Sequence, residues 1–331
     1  MGRVGRRPDS ARLMAREGKA TKGASSADTT IVPAFESVDD VAERLSDTGY
    51  LPDAATATAT YLADRLGKPL LVEGPAGVGK TELAKAVASA IGADLVRLQC
   101  YEGLDEARAL YEWNHAKQIL HIQSTGAREW DDTKADIFSD EFLLPRPLLK
   151  AISRSEPTVL LIDEVDKADV DMEGLLLEVL SDFAVSIPEM GTVRATQRPI
   201  VILTSNAARE LSEALKRRCL YLHIDFPDAA REKEILASRV PELPSALAAE
   251  VVRVIGALRG LDIRKKPSVS ETIDWGNTLL ALSAGAKAGT PEAKLVKGRI
   301  DDSLISRTLG VVLKHRPDLA TARKELKLNH E

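Results

Sequence analysis

Gly74-Pro75-Ala76-Gly77-Val78-Gly79-Lys80-Thr81 follows the short apolar run Pro69-Leu70-Leu71-Val72-Glu73. It precedes an amphipathic pattern with Leu83, Val87, Ala90 and Ile91 on one face. The octapeptide fits the phosphate-binding loop G-x-x-x-x-G-K-[ST], in the strand-before, helix-after context that the loop requires. Successive backbone N–H groups of such a loop form an anion nest, and the following helix adds its N-terminal dipole. By this pattern the stretch Gly74, Pro75, Ala76, Gly77, Val78, Gly79 cradles phosphates and Lys80 reaches the β/γ-phosphates. The Thr81 hydroxyl is then placed to bind Mg²⁺. A nucleoside triphosphate is the expected ligand.

Four further runs resemble the one before the loop: Leu95–Cys100, Thr158–Asp163, Ile200–Thr204 and Leu220–Ile224. Near-continuous apolar runs of this length read as strands buried on both faces. Their alternation with helical patterns predicts an α/β fold with a five-stranded, doubly wound parallel sheet. Ligands of such sheets bind at the carboxyl ends of the strands, so the residues just after each run are candidates for chemistry.

After the third run, Val159-Leu160-Leu161-Ile162-Asp163-Glu164 places two carboxylates at a strand end, the Walker B arrangement. Asp163 is the candidate for the Mg²⁺ shell and Glu164 for polarising the attacking water. Asp166, Asp169 and Asp171 read as a solvated helix start, where the dipole favours acids. The fourth run ends in Thr204-Ser205-Asn206, and Asn206 is the candidate for positioning that water. Arg217-Arg218 stand just before the fifth run, where an arginine is expected to reach a neighbouring subunit's nucleotide as a finger supplied in trans.

Two segments interrupt the alternation. Residues 101–138 are long for a connection and contain Glu106–Leu120, read as one helix. Phe183–Pro199 has the alternation of a hairpin around Pro188-Glu189-Met190-Gly191, with no role in holding phosphate and free to project. From about Asp228 the strand signals stop and the chain reads as helical. Ser268-Val269-Ser270-Glu271 is a capping box opening a helix to about Ser283. These signals divide the chain into a basic disordered tail (1–30), an α/β core (31–227) and a helical lid (228–331).

The net charge of −5 conceals an asymmetry: residues 1–30 hold seven Lys/Arg against three Asp/Glu, leaving the rest at −9. An acidic body with 4% aromatics argues against a nucleic acid or an anionic membrane as main partner. No run reaches the length of a membrane span and no secretory signal is visible, so a cytoplasmic location is expected. Cys100 and Cys219 lie beside apolar runs and are expected as buried, reduced thiols. His115 and His121 lack the spacing of a helical metal site and are read as structural.

With these elements in order, the chain resembles AAA+ ATPases, and more narrowly the MoxR family. The resemblance covers about residues 35–315. The runs Leu98–Asp105, Leu110–Asn114, Leu175–Phe183 and Lys266–Trp275 are similar to relatives of carbon-monoxide-dehydrogenase accessory ATPases. It implies a helix-2 insert at 101–138, a pre-sensor-1 hairpin at 183–197 and Arg218 as the finger with Arg217 beside it. It further implies a ring, usually of six subunits, that spends ATP with Mg²⁺ on remodelling another protein. A von Willebrand factor A domain protein is the usual partner, and the task is maturation or metal-centre assembly of a client enzyme. The lid departs from the family in one respect, since the first turn after Ser268 carries no sensor-2 arginine and Arg264, Lys265 and Lys266 precede it. Two other classes remain at this stage: a nucleic-acid-associated motor or loader, and a nucleotide switch without remodelling. Tyr50-Leu51-Pro52 is the expected place for contacts to the base.

Overall fold

A computed structural model describes residues 32–125, 134, 136–188, 190–284, 290–295 and 298–328. The expected disordered tail lies outside the described residues. Two short helices open the chain, α1 (Val38–Asp47) and α2 (Ala54–Leu66), capped by the side chains of Ser37 and Asp53. Then come β1 (Leu70–Glu73), α3 (Lys80–Ile91) and β2 (Asp94–Gln99). The insert contributes α4 (Glu106–Ala109), β3 (Tyr111–Trp113), α5 (His115–Thr125) and β4 (Leu143–Pro145). The core continues with α6 (Pro147–Ile152), β5 (Thr158–Asp163) and α7 (Val170–Asp182). It closes with β6 (Ala184–Ile187), β7 (Gly191–Arg194), β8 (Ile200–Ser205), α8 (Glu213–Arg218) and β9 (Leu220–His223).

The five long runs form one sheet in the order β2-β5-β8-β1-β9, with parallel pairing throughout. β5 is buried along its whole length, as a central strand should be. β2 departs from the expected two-sided burial because it is an edge strand. Val96, Leu98 and Cys100 point into the core, while Leu95 and Arg97 are exposed. One apolar cluster packs each face of the sheet: Leu83 and Val87 of α3 on one side, Leu148, Leu176 and Leu215 on the other.

The insert is not one helix. α4 ends at its C-cap Leu110, and β3 pairs antiparallel with β4 (Tyr111↔Pro145, Trp113↔Leu143). The Asn114 side chain then accepts from Lys117 N at 3.0 Å, starting α5. Aromatic packing explains the break: Trp113 meets Tyr111 and Phe138 edge to face, contacts a continuous helix would not present. The β6-β7 hairpin is present with Val185 opposite Val193. It does not project freely, since Val185, Ile187 and Ala195 are buried in the cluster that holds α7.

Beyond β9 the described chain is helical: α9 (Ala229–Arg239), α10 (Ser245–Arg259), α11 (Val269–Ala284), α12 (Pro291–Leu295), α13 (Asp302–Val312) and α14 (Arg316–Glu325). Their apolar faces share a separate core around Trp275, whose indole N–H donates to Thr308 Oγ1 at 2.9 Å. The capping box is formed: Ser268 N donates to Glu271 Oε2 at 2.7 Å, and Glu271 N returns to Ser268 Oγ at 3.4 Å. Glu232, buried at 2% exposure, binds both Arg259 Nη atoms at 2.7 Å and the Thr272 hydroxyl at 2.6 Å, which ties α9, α10 and α11 together.

Candidate active site

The loop between β1 and α3 lies against the helical region. A Cβ on Gly74 would stand 1.9 Å from the Ile224 carbonyl, and one on Gly77 would stand 2.4 Å from Ser268 Oγ. Gly77 also has φ +75, so both space and conformation require glycine there. The backbone can therefore approach an anion closely, at the start of a twelve-residue helix. These features fit a bound triphosphate.

Lys80 is nearly buried, and its ammonium donates to Gly74 O and Pro75 O at 2.7 Å and to Asn206 Oδ1 at 2.8 Å. Burial pulls its pKa down, against the opposing pull of Asp166, Asp163 and Glu164. The Thr81 hydroxyl donates to Asp163 Oδ1 at 3.0 Å. A hydroxyl and a carboxylate side by side are hard oxygen donors of the kind Mg²⁺ takes, so the pair fits the ion. Thr204 fastens the strand ends: its hydroxyl donates to Asp163 Oδ1 at 2.5 Å and accepts from Glu164 N at 2.9 Å. Asn206 Nδ2 lies 3.4 Å from Glu164 Oε1, so one amide spans Lys80 and Glu164.

Both turns carrying these groups are left-handed at a non-glycine residue, with φ +57 at Glu164 and +56 at Ala207. Such positions persist only where the surroundings over-determine them. Asp166 is the clamp: its Oδ2 accepts from Asn206 N at 3.2 Å and Ala208 N at 2.9 Å. Against the expected solvated helix start, Asp166 is 3% exposed; Asp169 does cap α7, through Met172 N at 2.9 Å.

Sequence reasoning missed several members of the cluster. Arg97 reaches Asp163 Oδ2 with Nε at 3.1 Å and Nη2 at 2.5 Å. Gln99 Nε2 donates to Glu164 Oε2 at 2.8 Å, and Lys167 Nζ pairs with the same oxygen at 2.7 Å. The signal was the alternation Val96-Arg97-Leu98-Gln99, whose polar members mark an open strand face.

Two cavities meet at Gly77, Gly79 and Ser270. One, of about 430 Å³, is lined by Lys80, Thr81, Arg97, Asp163, Glu164 and Asn206. The other, of about 840 Å³, runs from Tyr50-Leu51-Pro52 past Ile224 and Phe226 to Ile273 of α11. Burial raises the Tyr50 phenol well above its ordinary pKa, so it stays neutral. Arg264, Lys265 and Lys266 line neither cavity; Arg264 N and Lys265 N donate to Asp318, and Lys265 Nζ pairs with Glu271 at 3.5 Å. The cations that the helical region offers to the larger cavity are Arg231 and Arg239, the latter 3.4 Å from Glu82.

Arg217 and Arg218 are not brought to this cluster. They end α8, are exposed and line neither cavity; Arg218 Nη1 lies 3.5 Å from Leu177 O. Cys100 and Cys219 are free thiols, each pushed up to about 12 by burial and so inert at neutral pH. No His/Cys/Asp/Glu metal cluster occurs among the described residues, and no described helix is long and apolar enough to cross a membrane.

The stretch 69–219, which holds every core residue above from Lys80 to Arg218, matches the family "AAA domain (dynein-related subfamily)". NorQ of Paracoccus denitrificans is 24% identical over 78% of this chain and 90% of its own length. The denitrification regulatory protein NirQ of Stutzerimonas stutzeri is 25% identical over 62% of this chain and 69% of its own. Residues 69–219 form an AAA-type ATPase domain, and the chain as a whole is similar to NorQ and NirQ. The chaperone protein ClpB of Oceanobacillus iheyensis is 28% identical over 51% of this ATPase, which spans only 18% of that protein. Among solved structures, RuvB of Thermotoga maritima superposes over 89% of this chain and 84% of its own, at 17% identity and a TM-score of 0.45. A TM-score of that size carries no weight on what the ATPase acts upon.

Proposed function

We propose that this ATPase is a remodelling machine working as a ring, usually six subunits in this family, and that its hydrolytic site is completed by a neighbour. The observation carrying this is a division of labour. Lys80, Asp163, Glu164 and Asn206 converge on one cavity, while Arg217 and Arg218 stand exposed away from it. Charge developing on a transferred phosphoryl group needs a cation. An arginine that its own site does not use is suited to the site next door.

In this scheme Glu164 polarises the attacking water and Asn206 holds it in line. Lys80 and the loop N–H groups bind the phosphates. Mg²⁺, held through Thr81 and Asp163, would offset phosphate charge. The work done is proposed to be maturation or metal-centre assembly of a client enzyme, with a von Willebrand A domain protein as partner. Similarity to NorQ over most of both chains and to ClpB, a chaperone by name, supports that class.

The test is a co-purification of the Glu164→Gln chain with a von Willebrand A domain protein encoded beside it and the neighbouring metalloenzyme. A complex that forms with ATP and dissociates with ADP is expected. Equal recovery under both nucleotides would overturn the remodelling assignment.

A further inference from the structure

Asp163 has no free side in this arrangement. Its Oδ1 takes the hydroxyls of Thr81 and Thr204, and its Oδ2 takes two nitrogens of Arg97. Arg97 differs from the buried members of the cluster. Its side chain is 51% exposed while Asp163 is 4% exposed, and it stands on the open face of an edge strand, where its Nη2 also donates to Gln99 Oε1. A long, half-solvated arginine is free to change partners at small cost, and its planar fork suits carboxylate and phosphate alike.

We propose that Arg97 is a partner-exchanging sensor of the terminal phosphate: it clamps Asp163 in the arrangement described and moves to the γ-phosphate when ATP and Mg²⁺ are bound. The inference rests on the reading of Thr81 and Asp163 as the Mg²⁺ position. A divalent cation there is repelled by a guanidinium on the same carboxylate, so one of the two must yield. Arg97 lines the same cavity as Lys80, Thr81 and Asn206, so the end of a bound triphosphate there would offer it a more highly charged anion than Asp163. A diphosphate is one phosphoryl group shorter and gives Arg97 nowhere to go. It then returns to Asp163 and competes with the metal, favouring product release. Arg97 would thus separate ATP from ADP within one subunit, independently of a neighbour's finger.

The experiment measures binding of fluorescent ADP and of a hydrolysis-resistant fluorescent ATP analogue to the full chain across a magnesium titration. Wild type is compared with Arg97→Ala and Arg97→Gln. Removing one charge-assisted phosphate contact is expected to cut the preference for the triphosphate by about tenfold. Both variants are also expected to need less magnesium than wild type for half-maximal ADP binding. A preference within about twofold of wild type in both variants overturns the proposal, as does unchanged magnesium demand. Lys80→Ala serves as control. If it binds both nucleotides like wild type, the loop is not the phosphate site and the reading beneath the inference fails instead.

Discussion

Glu164 sits in a left-handed backbone conformation between Asp163, on the loop side, and Lys167, whose ammonium pairs with its carboxylate. Its backbone N–H is held by Thr204 and its side chain by Gln99 and Asn206. A carboxylate fixed from the strands on both sides can aim at a water without reorganising, which is what a general base needs. Glu164→Gln keeps the shape and the backbone contact to Thr204, but loses basicity and one of the two acceptor oxygens. Hydrolysis is expected to fall by about 10²–10⁴-fold with nucleotide affinity retained, checked by steady-state turnover beside equilibrium binding. Near wild-type turnover would remove Glu164 from the role. Asp163, Glu164 and Asn206 were legible in the sequence because each follows an apolar run at a strand end. Asp166 was not, since an acid two residues past a strand looks the same whether it is solvated or clamping Asn206 N and Ala208 N.

At the scale of elements, α7 and α8 must be held in register for Arg217 and Arg218 to stand where a neighbour could use them. A buried carboxylate does this: Glu173 of α7 accepts from Arg209 at 2.5 Å and from Ser212 N, the start of α8, at 2.9 Å. Burial alone would raise the Glu173 pKa, but the hydrogen bonds from Ser212 and Arg209 outweigh it and hold it below its ordinary 4.5. A depressed carboxylate stabilises the fold above its unfolded pKa, and that contribution is lost as pH falls through the folded value. Glu173→Gln is therefore expected to cost about 1–2 kcal/mol at pH 7, modest because Arg209 can turn to water. The gap from wild type should close below about pH 4.5. Urea midpoints at several pH values check this, and a gap constant with pH would refute it. The insert shows where element reading stopped. Residues 106–120 have helical composition, but the β3-β4 pairing and the edge-to-face contact of Trp113 with Phe138 come from partners about 25–34 residues away, beyond any local pattern.

At the scale of the whole molecule, the sheet presents Lys80, Asp163 and Asn206 at one end, and the helical region closes over them, with Ser268 against Gly77 and Arg231 donating to Pro52 O at 2.8 Å. Nucleotide in the shared cavities would touch both parts at once, so its presence would be felt by the helical region without an arginine from the Arg264–Lys266 loop. If the finger acts in trans, Arg218→Ala and Lys80→Ala subunits, each inactive alone, are expected to regain part of the ATPase rate when mixed. The first supplies an intact pocket and the second an intact finger. No recovery at any mixing ratio would argue for self-contained subunits. The sequence by itself determined the loop, the two carboxylates, the five strands of the main sheet and the helix capped at Ser268. Each depends on residues close in the chain, where turn chemistry and hydrophobic period act directly. Only the tertiary structure decided that β2 is an edge, that Arg97 and Gln99 reach Asp163 and Glu164, and that Asp166 is buried. Those facts depend on which strand lies beside which, set by packing between segments some 40–65 residues apart.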